Sequence, residues 1–299
     1  MKDFKDKVAV ITGAASGIGL GIAKKAVKEG MKVIIADIEE EALTKAENEL
    51  KESGDYILAV LTDVSKPDNI ERLAQKTLDT FGKVHLLCNN AGVGTAGVLW
   101  ETPLVEWEWV MNVNLWGVIH GIRTFVPIML EQDENCHIVN TASIAGLVSS
   151  GYEGVYTITK HGVVALSEQL SRELSALDSK IKLSVFCPGF VTTNILDCRR
   201  NCPEDMPDGD LDFDTALEKF LKDHPEAKEF MTMFLNMFEA GISPEKAGDI
   251  IFDAIKDEAF YILTDTGLMF KNLVKERMNG IIDAFKQNKP YGRKIIEAI

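Results

Sequence analysis

Short, continuously apolar runs alternating with longer amphipathic ones constrain this chain more than any other feature. Residues 7–12 (KVAVIT), Lys32–Asp37 (KVIIAD), 56–62, 84–88, 137–141 and Ile181–Cys187 read as strands. Helical patterns over 17–29, 40–52, 68–81, 107–130 and 155–177 separate them. A strand that is apolar on both faces is covered on both faces, as in a parallel sheet packed between helices. Right-handed crossovers then predict a doubly wound α/β sheet. The rhythm breaks after Pro188. Residues 197–214, with Pro203, Pro207, Gly209 and a run of acids, read as a loop. Helices follow over 215–223, 225–239 and Pro244–Lys256, then a last strand over 260–264 and a terminal amphipathic helix over 269–287.

The whole of 1–299 fits one domain, with 194–241 as an insertion and 269–299 as a C-terminal helical extension. A formal net charge of −14 opposes nucleic acid or an anionic membrane as partner, since both need clustered Lys and Arg. The five cysteines, Cys88, Cys136, Cys187, Cys198 and Cys202, form no Cys-x-x-Cys pair, and no His or further Cys completes a metal set around Cys198 and Cys202. Metal is therefore not expected. The opening residues run straight into a strand, no apolar run reaches the ~20 residues of a membrane span, and the chain reads as cytoplasmic.

The first strand ends in Thr12-Gly-Ala-Ala-Ser-Gly-Ile-Gly19 and opens directly into a helix. Gly13, Gly17 and Gly19, with Ser16 and Ile18 between them, permit a tight turn and let a pyrophosphate approach the amides of the helix N-terminus. Asp37 ends the second strand, 18 residues after Gly19. A carboxylate there accepts both ribose hydroxyls of an adenosine and repels a 2′-phosphate, and no Arg or Lys is expected where a 2′-phosphate would need one. NAD is expected over NADP. The competing reading of Asp37 is a helix cap.

Tyr156 and Lys160 stand at i, i+4 on one predicted helix and share a face. A free phenol, with a pKa of about 10, is a poor base near neutrality. Lowering it by two to three units takes roughly 3–4 kcal/mol. A Lys ammonium about 4 Å away supplies on the order of 4 kcal/mol at an effective dielectric of 20. Ser143 follows the fifth strand, where its hydroxyl can hold a substrate oxygen. Tyr152 has Tyr156 and not Lys four residues on, and reads as a pocket or packing residue. The five histidines, 85, 120, 137, 161 and 224, fit no hydrolase motif and read as structural.

Taken in order, TGAASGIG (12–19), Asp37, Asp63-Val64, NNAG (89–92), NVN (112–114), Ser143, Tyr156-Thr-Ile-Thr-Lys160 and PGFVTT (188–193) resemble the short-chain dehydrogenase/reductase family over about 190 residues. The resemblance implies one Rossmann-like domain with a seven-stranded parallel sheet, and a homodimer or homotetramer. It implies that Asp63 and Val64 hold the adenine, and that Asn90, Ala91 and Gly92 line the cofactor. Asn114 would kink its helix and hold a proton-relay water. Pro188 and Gly189 would flank the nicotinamide, with Val191 and Thr193 (or Thr192) near its carboxamide. For Asn89 and Asn112, turn or strand-end roles are preferred.

The 194–241 segment is longer than the family's usual substrate loop and carries Phe213, Phe220, Phe230, Phe234, Phe238, Met206, Met231, Met233 and Met237. It reads either as a helix-packing face or as an apolar lid over a bulky, hydroxysteroid-like alcohol or ketone. After the last strand, Asp265-Thr-Gly-Leu and a charged helix stand where many relatives have a short Asp-Gly-Gly ending. Three functions follow as expectations: an NAD-dependent dehydrogenase of secondary alcohols, an NADPH-dependent carbonyl reductase, or a nicotinamide-binding protein without turnover. The presence of Asn114, Ser143, Tyr156 and Lys160 together favours the first two.

Overall fold

Seven short strands organise the chain in the computed structural model, which describes residues 1–286. They are β1 (Val8–Thr12), β2 (Lys32–Asp37), β3 (Ile57–Leu61), β4 (Leu86–Asn89), β5 (Cys136–Thr141), β6 (Ile181–Cys187) and β7 (Tyr261–Leu263). All pair in parallel in the order β3-β2-β1-β4-β5-β6-β7. The central ones, β1, β4 and β5, are buried from end to end. Register runs Val8↔Lys32 on one side of β1 and Ala9↔Leu86 on the other. The order reverses between β1 and β4, which is where an open α/β sheet forms its ligand crevice.

Alternate strand residues feed two cores. Ala9, Ile11, Val33 and Ile35 pack towards α1 (Gly17–Lys28), α2 (Glu40–Lys51) and α9 (Pro244–Lys256). Val8, Val10, Ile34 and Leu87 pack towards α3 (Pro67–Phe81) and the long helix on the opposite face. Each face thus has its own helical cover, and the uninterrupted apolar runs have their physical reason.

The long helix differs from the single helix predicted over 107–130. It comprises α4 (Leu104–Met111), a π-helical turn over Asn112–Trp116 and α5 (Gly117–Gln132), with Pro127 inside α5. Leu104–Gln132 has a mean hydropathy of 1.3 over its best window, so by length and composition alone it is long and apolar enough to cross a membrane. The expectation that no run qualifies is corrected here. In the fold, its buried Phe125, Val126 and Met129 join the core shared with α3, and Val118 joins a separate cluster with Val163, Val164 and Val185.

A second departure lies in 197–214, predicted as loop. Asn194–Asn201 is 3₁₀-helical, kinked at Asp197 and capped by Thr193, whose Oγ1 accepts from the Ile195 amide. Turns then lead to α7 (Phe213–Asp223), capped by Asp212, and to α8 (Lys228–Glu239). α6 (Gly154–Ala176) carries the predicted Tyr-Lys pair.

Met1–Thr264 forms one unit and the segment from Asp265 onward another. In the second, α10 (Leu268–Lys286) has Leu273, Met278, Ile281, Ile282 and Phe285 exposed. The part of the predicted extension over 287–299 lies outside the described residues.

Candidate active site

The turn after β1 is built around backbone contact. Gly13 has φ +65°, and a Cβ on it would stand 2.7 Å from the Ala91 Cα. Thr12 Oγ1 accepts from the amides of Asn90 (3.0 Å) and Ala91 (3.1 Å). Asn90 Nδ2 in turn donates to the carbonyls of Thr12 (3.0 Å) and Gly13 (3.3 Å). The turn and the loop after β4 are therefore one hydrogen-bonded unit. Ser16, at the N-cap of α1, makes no side-chain cap bond and so offers the first amides no competing acceptor.

Asp37 Oδ2 accepts from the Ala15 amide at 2.9 Å and Oδ1 from the Glu39 amide at 3.1 Å. Burial raises its pKa, with the amide bonds opposing. The N-cap of α2 is Glu39 rather than Asp37, so Asp37 ties the turn before the helix to the glycine loop.

A groove of about 180 Å³ runs along these loops. It brings together Gly13, Ser16, Gly17 and Ile18 with Asp37, Asp63, Val64, Asn90, Ala91 and Gly92. Tyr156, Lys160, Pro188 and Thr193 complete its wall. Gly19 does not line it. A Cβ there would fall 2.0 Å from the Gly13 carbonyl oxygen, so this glycine serves the packing of α1 on the turn rather than the groove. Such a lining of main-chain amides and small residues, with the part-buried Asp37 carboxylate at one end, fits a dinucleotide with a free ribose diol.

One reading from sequence needs correction. An arginine does reach the Asp37 end of the groove, from 161 residues downstream of Glu39. Arg200 is held there by both Glu39 oxygens, with Nη2 at 2.7 Å from Oε1 and Nε at 3.1 and 3.2 Å from the pair. It also donates to the carbonyls of Asn194 and Asp197, and Asn201 Nδ2 adds a bond to Glu39 at 2.9 Å. The guanidinium is thus matched by a carboxylate. No local sequence pattern announces the pair, because only the fold of 194–201 brings it together.

Tyr156 is part-buried on α6, and the Ser143 hydroxyl is near enough to favour its phenolate. Ser143 Oγ accepts from the Ala145 amide at 3.1 Å, which orients the hydroxyl. Lys160 Nζ donates to the Thr141 carbonyl at 3.1 Å and stands 5.4 Å from the Tyr156 ring centroid. Burial pushes Tyr156 up to about 12, opposed by Ser143 and assisted by the negative charge of Glu153. Burial likewise brings Lys160 down to about 8. In the chain by itself burial is the largest influence on both groups.

Asn114 is fully buried in the π turn. Its Oδ1 accepts from the Val93 amide (2.8 Å), and its Nδ2 donates to the Val93 carbonyl (2.9 Å) and Thr159 Oγ1 (3.2 Å). Asn114 Oδ1 and Lys160 Nζ border the same space, since a Cβ on Gly92 would meet them at 3.2 and 3.4 Å.

A second cavity of about 370 Å³ meets the groove at Tyr156, Ile18, Pro188, Thr193 and Ile195, which line both. Ser143, Gly189 and Val191 face this chamber, not the groove. Its walls include Tyr152, Phe213, Phe220, Phe230, Met231, Phe234 and Phe238. Tyr152 packs on Phe220 (5.9 Å) and Phe230 (5.7 Å), and Phe190 on Phe234 (5.4 Å). Met206 instead belongs to a buried cluster with Trp109, while Met233 and Met237 line an outer groove. The segment thus packs and walls the chamber at once. His224, expected to be purely structural, also lines the chamber and pairs with Glu101 at 3.0 Å. Glu153, which faces the chamber three residues before Tyr156, was visible in the helix spacing and not singled out.

Comparison with known proteins bears on this arrangement. The family model described as short chain dehydrogenase matches residues 7–202. A CLA biosynthesis dehydrogenase/reductase of Lactiplantibacillus plantarum is 35% identical over 282 residues, 94% of this chain and 95% of that protein. A 1-deoxy-11-beta-hydroxypentalenate dehydrogenase of Streptomyces exfoliatus is 38% identical over 192 residues, 64% of this chain and 69% of that protein. Among solved structures, a short chain dehydrogenase/reductase from Burkholderia phymatum in complex with NAD superposes with a TM-score of 0.85 at 38% identity, covering 99% of this chain and 100% of that one. With the match spanning the glycine turn, the Tyr-Lys helix and the sheet that joins them, the chain belongs to the short-chain dehydrogenase/reductase family of oxidoreductases.

Proposed function

We propose that this protein transfers a hydride between NAD(H) and the carbinol carbon of a secondary alcohol, or its ketone, that carries a bulky apolar body. The observation that carries this reading is the position of Tyr156, which lines both the dinucleotide groove and the apolar chamber. An oxygen in reach of Ser143 and Tyr156 has its carbon directed to the groove side of the junction, and the apolar remainder has the phenylalanine-lined walls. The NAD complex of the Burkholderia relative and the dehydrogenase names of the two relatives support the same reading.

NAD⁺ bound in the groove would supply the hydride acceptor and a second positive charge beside the phenol. The chain's own residues do the rest. Asp37 accepts the adenosine ribose hydroxyls and disfavours a 2′-phosphate, Asp63 and Val64 border the adenine, and the Gly13–Ile18 turn presents its amides to the pyrophosphate. Asn90, Ala91 and Gly92 form the floor; Pro188, Gly189, Val191 and Thr193 hold the nicotinamide end. Ser143 donates a hydrogen bond to the substrate oxygen. Tyr156 takes the hydroxyl proton as the carbinol C–H bond breaks and its electron pair leaves with the hydride; in reduction the proton returns to the carbonyl oxygen. Lys160 binds ribose hydroxyls and favours the phenolate. Asn114 Oδ1, facing the space shared with Lys160, holds a water through which the proton reaches solvent. The chain works as one Rossmann-like domain with a substrate cover over 194–241, and as a homo-oligomer, for which exposed Trp100, Leu104, Trp116 and Ile158 supply apolar surface.

The test is NADH formation with a panel of cyclic secondary alcohols, compared with NADP⁺ and with small alcohols such as propan-2-ol. The expected outcome is turnover that rises with apolar bulk and prefers NAD⁺. Equal turnover of small and bulky substrates would remove the role given to the chamber.

A further inference from the structure

One charged group in the chamber wall has incomplete hydrogen bonding. Arg199 is half-buried, and its Nη1 donates to the carbonyls of Asp208 (3.0 Å) and Pro207 (3.5 Å). Its Nη2 stands 3.9 Å from a carboxylate oxygen of Glu106, beyond hydrogen-bond distance. Among the described residues nothing accepts from Nε or Nη2. A guanidinium carries five donors in a fixed plane, so one edge of this fork is fixed by main chain and the remainder is available.

The other charged groups of the chamber are already matched or lie in solvent. Asp208 and Lys219 are exposed and paired with each other, Asp223 is exposed, and Glu153 is hydrogen-bonded to Ser150. His224 is paired with Glu101. The chamber wall also carries Leu196, Leu211, Phe213 and Leu217, while the nearly buried Glu106 carboxylate stands on the Nη2 side of Arg199. Glu106 offsets part of the charge without taking a hydrogen bond, so the Nε and Nη2 donors of this quarter-exposed side chain (26%) are left for water or a ligand. A planar, two-oxygen anion suits the Nε–Nη2 edge, because carboxylate and guanidinium meet through two parallel bonds.

We infer that Arg199 is a specificity-determining residue that binds a carboxylate on the substrate, so that the enzyme acts on apolar hydroxy or oxo acids rather than on neutral alcohols. This rests on the hydride-transfer reading for the word substrate, but the binding site itself can be measured without turnover. The carboxylate is separate from the carbinol, which belongs at Ser143 and Tyr156.

Isothermal titration of the protein saturated with NADH, using decanoate and decanamide as probes, tests this. Both probes have the same chain and a carbonyl acceptor, and they differ in charge. Wild type is expected to bind decanoate about tenfold or more tightly than decanamide. Arg199→Gln should reduce that ratio to near one, and Arg199→Lys, a point charge without the fork, should keep part of it. Equal affinity of the two probes for wild type, or no decanoate binding at all, overturns the inference whatever the variants do. An unchanged ratio in a folded Arg199→Gln protein overturns it too. Arg199-dependent decanoate binding supports it even in a preparation that oxidises no alcohol, while turnover without that preference defeats it and leaves hydride transfer standing.

Discussion

Tyr156 is held in a site that opposes its own ionisation, since burial lifts it to about 12 and the Glu153 charge adds to the shift. Removing that charge with Glu153→Gln favours the phenolate, so the rising limb of kcat/KM against pH for alcohol oxidation should move to lower pH; a limb that stays put would show that Glu153 does not act on the tyrosine. Asp37 has a comparable single-residue consequence. With the carboxylate replaced in Asp37→Ala, NADP⁺ should bind nearly as well as NAD⁺, read as the ratio of the two dissociation constants, and an unchanged ratio would reassign the discrimination. The positions of Tyr156 and Asp37 were legible in sequence because one has a lysine four residues on along its helix and the other ends a strand at a fixed distance from the glycine turn. The Thr141 carbonyl that takes the Lys160 proton donor and the Thr159 hydroxyl that fixes Asn114 were not, because a carbonyl has no residue signature and a threonine on a helix has no distinctive spacing.

At the scale of elements, the strands and sheet-covering helices follow from continuous apolar runs, and the structure places them within a few residues of expectation. The departures come where tertiary contacts override local pattern. The π turn at Asn112–Trp116 interrupts a helix whose sequence reads as unbroken, and it buries Asn114 against Val93 and Thr159. Asn194–Asn201 becomes 3₁₀-helical although prolines and acids lie just downstream, because Arg200 ties its carbonyls and the segment to Glu39. That strap spans the Asp37 end of the groove. Glu39→Gln should cost on the order of 1 kcal/mol locally, since the pair is only partly buried. Amide exchange over 194–201 should then rise several-fold in the variant, and unchanged exchange would show that the strap does not hold the segment.

For the molecule as a whole, the doubly wound sheet brings the ends of β1, β2, β4, β5 and β6 to one edge, and with them residues spread from Gly13 to Thr193. The opposite interior holds a neutral histidine. His137 Nε2 bonds Ser184 Oγ at 2.8 Å, Ser184 donates to the Ala259 carbonyl, and burial pulls the His137 pKa down to about 3. The unfolded chain binds a proton at this residue below a pH of about 6.5 that the folded chain refuses, so the group takes away stability as pH falls from there towards 3. Its contribution to the slope approaches about 1.4 kcal/mol per pH unit. In denaturant melts between about pH 6.5 and 5, His137→Gln should therefore lose less stability per unit than wild type; parallel slopes would mean that His137 titrates in the folded protein. The chemistry is decided at the junction of the groove and the chamber, where Tyr156 stands, and the measurement that bears on it most directly is Tyr156→Phe assayed for both binding and turnover. Loss of the hydroxyl should leave NADH affinity within about twofold of wild type and lower kcat for a bulky secondary alcohol by 10² or more, as expected for removal of a general acid/base; a variant that keeps full turnover on that alcohol would contradict the assignment.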